Sequence, residues 1–284
     1  MTYKVFVDGQ DGTTGLKIYD YLSRLSDIEV LQIPPEQRKD PETRRLLLNA
    51  ADVVFLCLPD EAARESVSLI ENPRTQIINA STAFRTDPAW AYGLPELKPA
   101  QREAIRESSR VSVPGCHATG FILSLHPLVA AGIVPRDYPV ACFSITGYSG
   151  GGKKLIALYE APRVPGSPLH IPRHYALTQA HKHTPEMQMY AGLDYAPQFT
   201  PVVSDFYQGL AMSLPLAPRW LHKPVQAREV HELLAAYYAH EPFVKVMPYQ
   251  AEAELDQGHF NLGPVRIRTP SSCLCSVRES ISSC

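Results

Sequence analysis

The sequence lacks any long apolar run. No uninterrupted hydrophobic segment approaches the about 18 residues that a membrane-spanning helix needs, and residues 1–4 lead directly into a strand pattern. An excess of one charge is also lacking, since 27 Lys and Arg stand against 29 Asp and Glu, for a net charge of -2. Such a balance gives no broad field to attract nucleic acid or an anionic membrane. We expect a cytoplasmic protein that binds a small molecule, with no nucleic-acid or membrane partner.

The cysteines do not have the spacing of a disulfide framework. They are Cys57, Cys116, Cys142, Cys273, Cys275 and Cys284. The pair Cys273 and Cys275 leaves a metal site open as an alternative, but no second ligand pair at zinc-finger spacing accompanies it. We predict no metal.

At 284 residues the chain is long enough for two domains of about 150 residues each. Its first part alternates strand-like and helix-like segments, and the strand-like ones include continuous apolar runs typical of a buried parallel sheet. The predicted strands are 3–7, 29–33, 52–59 and 76–80, and the predicted helices are 16–25, 41–50 and 60–71. This pattern predicts a doubly wound, Rossmann-type α/β domain over residues 1–115.

The pattern changes after Cys116. Helices are predicted at 118–128 and 225–239, and strands at 140–146, 200–203, 209–215 and 243–247. We predict an α+β domain with a mainly antiparallel sheet over residues 116–260, which carries the substrate, catalytic and oligomerisation functions. Residues 261–284 form an atypical tail without a comparable pattern.

A glycine-rich loop separates the first predicted strand from the first helix. Gly9, Gly12 and Gly15 have GxxGxxG spacing, with Thr13 and Thr14 between the last two. Glycines at such a junction permit a tight turn and close approach of the backbone to a pyrophosphate, which the helix N-terminus then favours. The loop predicts dinucleotide binding, although glycines also end strands for conformational reasons alone.

The second predicted strand leads into basic residues rather than into an acidic one. Arg38 and Lys39 are placed to neutralise a 2′-phosphate, which favours NADP(H) over NAD. A solvated charged loop is the alternative.

Cys116 follows Pro114 and Gly115 and directly precedes a predicted helix. Unpaired N–H groups and the helix dipole stabilise a thiolate at that position, and the thiolate is the reactive form. We predict that Cys116 is a nucleophile. The alternative of a buried structural cysteine fits Cys57 and Cys142 better.

Polar residues are concentrated at His181, His183 and Glu186, where a histidine is available for acid–base chemistry with the cysteine. A metal site and surface histidines without a role remain alternatives.

Two further loops have features of anion sites. Ser149 and Gly150 lie in a glycine-rich turn followed by two lysines, for which a simple hairpin turn is the alternative. Ser81 and Arg85 follow the carboxyl end of a predicted parallel strand, the edge at which α/β sheets bind ligands.

Five motifs occur in one order: DGQDGTTG at 8–15, YGLPEL at 92–97, PGCHATG at 114–120, YSGGGKK at 148–154 and HKHTPE at 181–186. Together they resemble the N-acetyl-gamma-glutamyl-phosphate reductases of arginine biosynthesis, in their shorter form, over residues 3 to about 255. The resemblance implies that Cys116 attacks an acyl phosphate, expels phosphate and forms a thioester. NADPH then reduces the thioester, and the thiohemiacetal releases N-acetylglutamate semialdehyde.

The resemblance also implies roles for individual residues. His181 would be the general acid/base, Glu186 would orient it, and His183 would lie near substrate or nicotinamide. Arg85, with Ser81, would hold the substrate. Ser149 and Gly150 would bind the nicotinamide end of the cofactor.

Three alternatives stay open: a related reductase of aspartyl or aminoadipyl phosphate, an inactive form that only binds nucleotide, and a cysteine hydrolase or acyltransferase, which has no need of the glycine loop. The sheet of the second domain is a plausible self-association surface, so a homo-oligomer, a dimer or tetramer, is expected. Relatives continue past Asn261 into strands and a terminal helix, so we interpret the tail as the product of a frameshift or truncation.

Overall fold

The computed structural model describes residues 2–10, 13–162, 164, 166–249 and 257–259, and the backbone of 273–275. The chain divides into two compact units, residues 1–115 and 116–284. Each unit is built around its own sheet.

The first unit alternates strands and helices. Its strands are β1 (Tyr3–Asp8), β2 (Ile28–Val30), β3 (Val53–Leu56), β4 (Gln76–Asn79), β5 (Ala91–Tyr92) and β6 (Arg110–Ser112), and its helices are α1 (Thr13–Leu22), α2 (Pro41–Ala50), α3 (Asp60–Leu69) and α4 (Gln101–Glu107). The sheet order is β2-β1-β3-β4-β6-β5, and all paired strands are parallel. The predicted Rossmann-like parallel sheet is confirmed.

Apolar side chains on the sheet form the core of the first unit. Phe6, Val54 and Leu56 are fully buried and cluster with Leu48 of α2 and Ala63 of α3. Burial of each of the larger side chains among these, Phe, Val and Leu, contributes about 1.5–3 kcal/mol. The central strand β3, Val53–Leu56, is apolar over its whole length, as is typical of a parallel strand covered by helices.

The end of β2 differs from the prediction, whereas the start of α2 agrees with it. Strand β2 ends at Val30 rather than at residue 33, because Pro34 and Pro35 follow and have no N–H to donate to a ladder. Helix α2 begins as expected, since the Asp40 side chain accepts a 2.8 Å hydrogen bond from the backbone N–H of Thr43.

The second unit holds a four-stranded sheet with helices. Its strands are β7 (Ala141–Gly147), β8 (Arg173–His174), β9 (Gln198–Ser204), β10 (Leu210–Ser213), β11 (Val244–Val246) and β12 (Cys273–Cys275), and its helices are α5 (Cys116–Ala130), α6 (Gly152–Glu160), α7 (Thr184–Ala191) and α8 (Ala227–Tyr237). The sheet order is β10-β7-β9-β8, and β11 pairs separately with β12.

The prediction of a mainly antiparallel sheet is not confirmed, because the sheet is mixed. The two longest strands, β7 and β9, pair in parallel over seven residues, while β10 and β8 pair antiparallel at the edges. Parallel strands need a long crossover connection between them. The segment with α6 and α7, which lies between β7 and β9 in the chain, provides that connection.

Helix α5 is the centre of the second unit. It packs against α7, α8 and β10, and Ala118, Phe121, Ile122 and Leu125 are at most 1% exposed. A helix contacted from several sides is apolar on most of its surface, which explains its weak amphipathicity in the sequence. The opposite face of β7 is open, with Ala141 and Phe143 exposed.

None of the helices in the described residues combines the length and the apolar character needed to cross a bilayer. The predicted atypical tail, 261–284, lies outside the described residues except for the backbone of β12.

Candidate active site

The first unit contains a cleft of about 260 Å³ at the carboxyl ends of its central strands. The lining residues lie at the end of β1 and in the segments after β1, β2 and β3: Val7, Asp8, Gly9, Gln10, Ile33, Arg38, Cys57, Leu58 and Pro59. Strand β1 has β2 on one side and β3 on the other, so the chain leaves the sheet in opposite directions at this point. Open α/β sheets bind their ligands at such a switch point.

The glycine loop packs so closely that two of its positions have no room for a side chain. Gly9 has φ +92°, and a Cβ there would lie 2.4 Å from the carbonyl oxygen of Cys57. A Cβ on Gly15 would lie 2.2 Å from the carbonyl oxygen of Gly9. The backbone itself therefore forms this wall of the cleft, which is the arrangement that a pyrophosphate requires.

The other predicted loop residues are less informative. Thr14 is exposed in the first turn of α1, whereas Gly12 and the side chain of Thr13 lie outside the described residues. Arg38 lines the cleft, so a cationic group stands beyond β2 where a 2′-phosphate would need it. The glycine contacts and this arginine fit a phosphorylated dinucleotide.

A buried ion pair, which no sequence pattern predicted, supports the strand end next to the cleft. The Arg44 side chain donates to Asp8 Oδ2 over 3.1 Å and to Ser66 Oγ over 2.7 Å, and Ser66 Oγ donates to Asp8 Oδ2 over 2.8 Å. Both charged side chains are 7% exposed. The network fixes the end of β1 directly before Gly9, and its partners are 36 and 58 residues apart in sequence, so no local motif announces it.

Ser81 and Arg85 are both buried after β4. Ser81 Oγ donates to Asn79 Oδ1 over 2.8 Å. Arg85 Nε donates to the Val113 carbonyl over 2.9 Å, and its Nη2 donates to the Ala80 carbonyl over 3.2 Å. Two of the Arg85 donor atoms are therefore bonded to backbone carbonyl groups. A substrate-binding role for Ser81 or Arg85 stays a prediction.

In the second unit, Cys116 is the first residue of α5 and is exposed. The first-turn N–H groups and the positive end of the helix favour a thiolate there. The other two free cysteines of the described residues differ. Burial raises the pKa of Cys142 to about 12, and burial, followed by the charge of Asp8, raises that of Cys57 to about 11.

Three histidines surround the start of α5. The ring centroid of His117 lies 5.6 Å from those of both His181 and His183, which are 4.7 Å from each other. The backbone N–H of His183 donates to His181 Nδ1 over 3.1 Å, so proton exchange by His181 is confined to Nε2. Phe199 packs 5.0 Å from the rings of both His117 and His181.

His117, Ser144 and Tyr175 belong to the same cluster and were missed in the sequence. His117 is 2% exposed, with Nδ1 at 2.9 Å from Ser144 Oγ and Nε2 at 2.8 Å from the Tyr175 hydroxyl. Burial, and then the charge of His181, lower the pKa of His117 to about 4. Its position directly after Cys116 was the only available signal.

Two domain models match the chain. "Semialdehyde dehydrogenase, NAD binding domain" matches residues 13–107, and "Semialdehyde dehydrogenase, dimerisation domain" matches residues 116–260. Curated proteins named N-acetyl-gamma-glutamyl-phosphate reductase are 45% identical in Nostoc sp. (90% of this chain, 81% of that protein) and 48% identical in Chelativorans sp. (88% and 81%).

The chain belongs to the N-acetyl-gamma-glutamyl-phosphate reductase family. A further relative of that name, from Pseudomonas putida, is 46% identical over 90% of this chain and 82% of its own length. The resemblance given by the five motifs is thereby confirmed.

Two solved structures share the fold of this chain at low sequence identity. Aspartate semialdehyde dehydrogenase II from Vibrio cholerae, complexed with ASA, has a TM-score of 0.62 at 12% identity and covers 87% of this chain and 81% of that one. The Candida albicans aspartate semialdehyde dehydrogenase with NADP has a TM-score of 0.54 at 15% identity, covering 91% and 87%.

The remaining predicted site residues of this family member lie in the second unit. Glu186 is 1% exposed in the first turn of α7. Ser149 and Gly150 lie in the turn after β7, where the Ser149 N–H donates to the Tyr207 carbonyl over 2.9 Å. Their roles toward His181 and the cofactor stay predictions. Within the described residues, no group of three or more His, Cys, Asp or Glu is arranged to hold a metal ion.

Proposed function

We propose that the protein reduces N-acetyl-L-glutamyl 5-phosphate to N-acetyl-L-glutamate 5-semialdehyde with NADPH, in arginine biosynthesis. The observation that carries this proposal is the exposed Cys116 thiol at the start of α5, beside the histidine cluster, in a chain 45–48% identical to reductases of that name. The first unit would hold the nucleotide, and the second unit would carry the covalent chemistry.

In the first half of the proposed reaction, the Cys116 thiolate attacks the acyl carbon. A carbon–sulfur bond forms, the bond from carbon to the phosphate oxygen breaks, and phosphate departs and takes a proton from solvent. Splitting the reduction through a thioester gives a carbonyl that accepts hydride more readily than a carboxylate.

His181 acts on the carbonyl oxygen of the substrate. Because Nδ1 accepts the His183 N–H, the hydrogen of the neutral ring is at Nε2, where it donates to the oxygen that gains negative charge. When the tetrahedral adduct on Cys116 collapses to the aldehyde, the carbon–sulfur bond breaks and its electron pair returns to sulfur.

The cofactor would bind at the glycine loop. Gly9 and Arg38 line the cleft, and Gly15 packs against the Gly9 backbone, which favours the pyrophosphate at the glycine loop and the 2′-phosphate at Arg38. When bound, NADPH supplies the hydride for the reduction.

The test is a steady-state assay with semialdehyde, phosphate and NADP, which runs the reaction in reverse. The N-acetylated five-carbon semialdehyde should be preferred over aspartate and aminoadipate semialdehydes, and Cys116→Ser should lose about 10⁴-fold or more in kcat. A preference for either other semialdehyde assigns the chain to a related reductase. If the protein binds NADP but converts none of the three semialdehydes, it is the inactive form that only binds nucleotide.

We also propose that the protein forms a homo-oligomer through the open face of the second sheet. Phe143 is 44% exposed on that face, and Ala141 beside it is exposed as well. Apolar groups on an uncovered sheet face favour association. Analytical ultracentrifugation should show a dimer or larger species, and Phe143→Glu should shift it toward monomer. A monomeric wild-type protein would refute this proposal.

A further inference from the structure

The three histidines of the second unit are chemically unequal. His181 is partly exposed and has a place in the proposed mechanism, whereas His117 is 2% exposed and has none. Both ring nitrogens of His117 are engaged, one by Ser144 and the other by Tyr175. The directions of these two hydrogen bonds follow from a third.

Ser144 determines the direction of the chain of bonds. Its hydroxyl donates its one hydrogen to the Ala211 carbonyl over 3.2 Å. The serine oxygen therefore accepts from His117 Nδ1, which places the hydrogen of the neutral ring on Nδ1. Nε2 is then a pure acceptor, and Tyr175 donates its hydroxyl hydrogen to it over 2.8 Å.

The charge state of His117 preserves these directions near neutral pH. The titratable side chains that face it are Tyr175, His181 and His183, and α7, which packs on α5, adds the buried Glu186. With a pKa lowered to about 4 by burial and by His181, the ring is neutral at pH 7. A protonated ring would have no acceptor for Tyr175.

Tyr175 lies near the candidate nucleophile, because its hydroxyl contacts His117, the residue that directly follows Cys116 in α5. Burial, and after it the charge of Cys116, raise the pKa of Tyr175 to about 12, so the phenol keeps its hydrogen. Because the Tyr175 hydroxyl donates its one hydrogen to His117, it has no hydrogen to donate to Cys116.

We propose that His117 is a positioning residue that turns the Tyr175 hydroxyl hydrogen away from Cys116, so that the phenolic oxygen offers the thiol only lone pairs. This inference rests on the proposed function insofar as Cys116 is the nucleophile. The lone pairs accept from the S–H group and repel the thiolate, in opposition to the N-terminus of α5. The balance matters because a thiolate of very low pKa is a weak nucleophile, and the best attacking thiol titrates near the ambient pH.

The test is the pH profile of iodoacetamide alkylation at Cys116, read by mass spectrometry of its peptide. Tyr175→Phe removes the lone pairs and should lower the apparent pKa of the thiol. His117→Leu frees the phenol to donate to the thiolate and should lower it further, by about one unit, as expected for one hydrogen bond to a charged group. His117→Gln keeps an acceptor for Tyr175 and should restore a profile close to wild type.

Matched controls remove the same atoms elsewhere in the second unit. Tyr238 is buried and donates its hydroxyl to the Leu123 carbonyl, and His231 bonds through Nε2 to the Met247 carbonyl. Tyr238→Phe and His231→Leu should leave the Cys116 profile unchanged.

The sign of the Tyr175→Phe effect decides the inference even where His117→Leu fails to fold. A raised thiol pKa would mean that Tyr175 donates to the thiolate, and an unchanged one that it does not act on Cys116; either result overturns the proposal. Alkylation needs no turnover, so failure here is distinct from failure of the proposed reductase function, which the semialdehyde assay and Cys116→Ser test separately.

Discussion

The candidate sites of the two units differ in the groups that form them: mainly backbone in the first unit and side chains in the second. In the first unit, the backbone of Gly9 forms a wall of the cleft and Gly15 packs against it, while the buried pair Asp8 and Arg44 holds the end of β1 directly before Gly9. In the second unit, side chains from separate elements meet around the start of α5. A backbone site tolerates changes in side chains that line it but not an added Cβ, whereas a side-chain site depends on single functional groups.

The strongest way to sharpen this comparison is to vary His181. His181→Ala removes the proposed Nε2–H donor and should lower kcat by about 10³-fold, while NADP binding in the first unit stays unchanged. His181→Gln retains an N–H donor and should lose only about 10-fold. Steady-state kinetics and NADP fluorescence titration measure both quantities.

Equal losses in the two His181 variants would contradict the donor role and favour proton transfer, which glutamine does not perform. Lys182→Ala, a change of an exposed neighbour in the same loop, is the matched control.

In the first unit, the corresponding change is an added methyl group. Gly9→Ala would place Cβ 2.4 Å from the Cys57 carbonyl oxygen at φ +92°, so the loop must move. Strain of about 1–3 kcal/mol is expected, with NADP affinity lowered about 10- to 100-fold. Alkylation of Cys116 should be unchanged. Gly132→Ala, also at positive φ but with no atom within 4 Å of its Cβ, separates backbone strain from the clash.

The first unit was the more predictable because its signals are local in sequence. The apolar runs of β3 and β4 and the loop from Gly9 to Gly15 each occupy one short stretch. The rule of right-handed crossovers then restricts the possible orders of the strands. The ion pair of Asp8 and Arg44 was not predicted, because two charged residues far apart in sequence are recognised as partners only when the fold brings them together.

The second unit was less predictable because its contacts cross elements. Cys116 was predicted from its turn and helix start. Ser144 approaches His117 from β7, 27 residues away, and Tyr175 approaches it from the segment after β8, 58 residues away. Tyr175 lies in an irregular segment without periodicity. The parallel pairing of β7 and β9 was missed because strand direction depends on the intervening crossover and leaves no mark in the strand sequences.

A smaller effect is expected from Arg38. Removing one charge-assisted contact to a 2′-phosphate in Arg38→Ala should weaken NADP binding about 10-fold and leave NAD binding nearly unchanged. Isothermal titration with both nucleotides gives the ratio. Lys39→Ala is the control, because Lys39 is exposed and does not line the cleft. Equal weakening of NADP and NAD binding would assign Arg38 a structural role.

The smallest effect concerns Cys57, which places a thiol in the backbone-built site. Its pKa is raised to about 11, so at pH 7 only roughly one molecule in 10⁴ carries the thiolate, and iodoacetamide should label it far more slowly than Cys116. Labelling should rise with pH toward 10, because the thiol ionises there. At that pH, saturating NADP should slow it severalfold, since Cys57 lines the cleft, while Cys142 in the second unit should show no such protection. Unprotected Cys57 would mean that the nucleotide binds elsewhere, and the two units would then differ in packing but not in the division of function proposed for them.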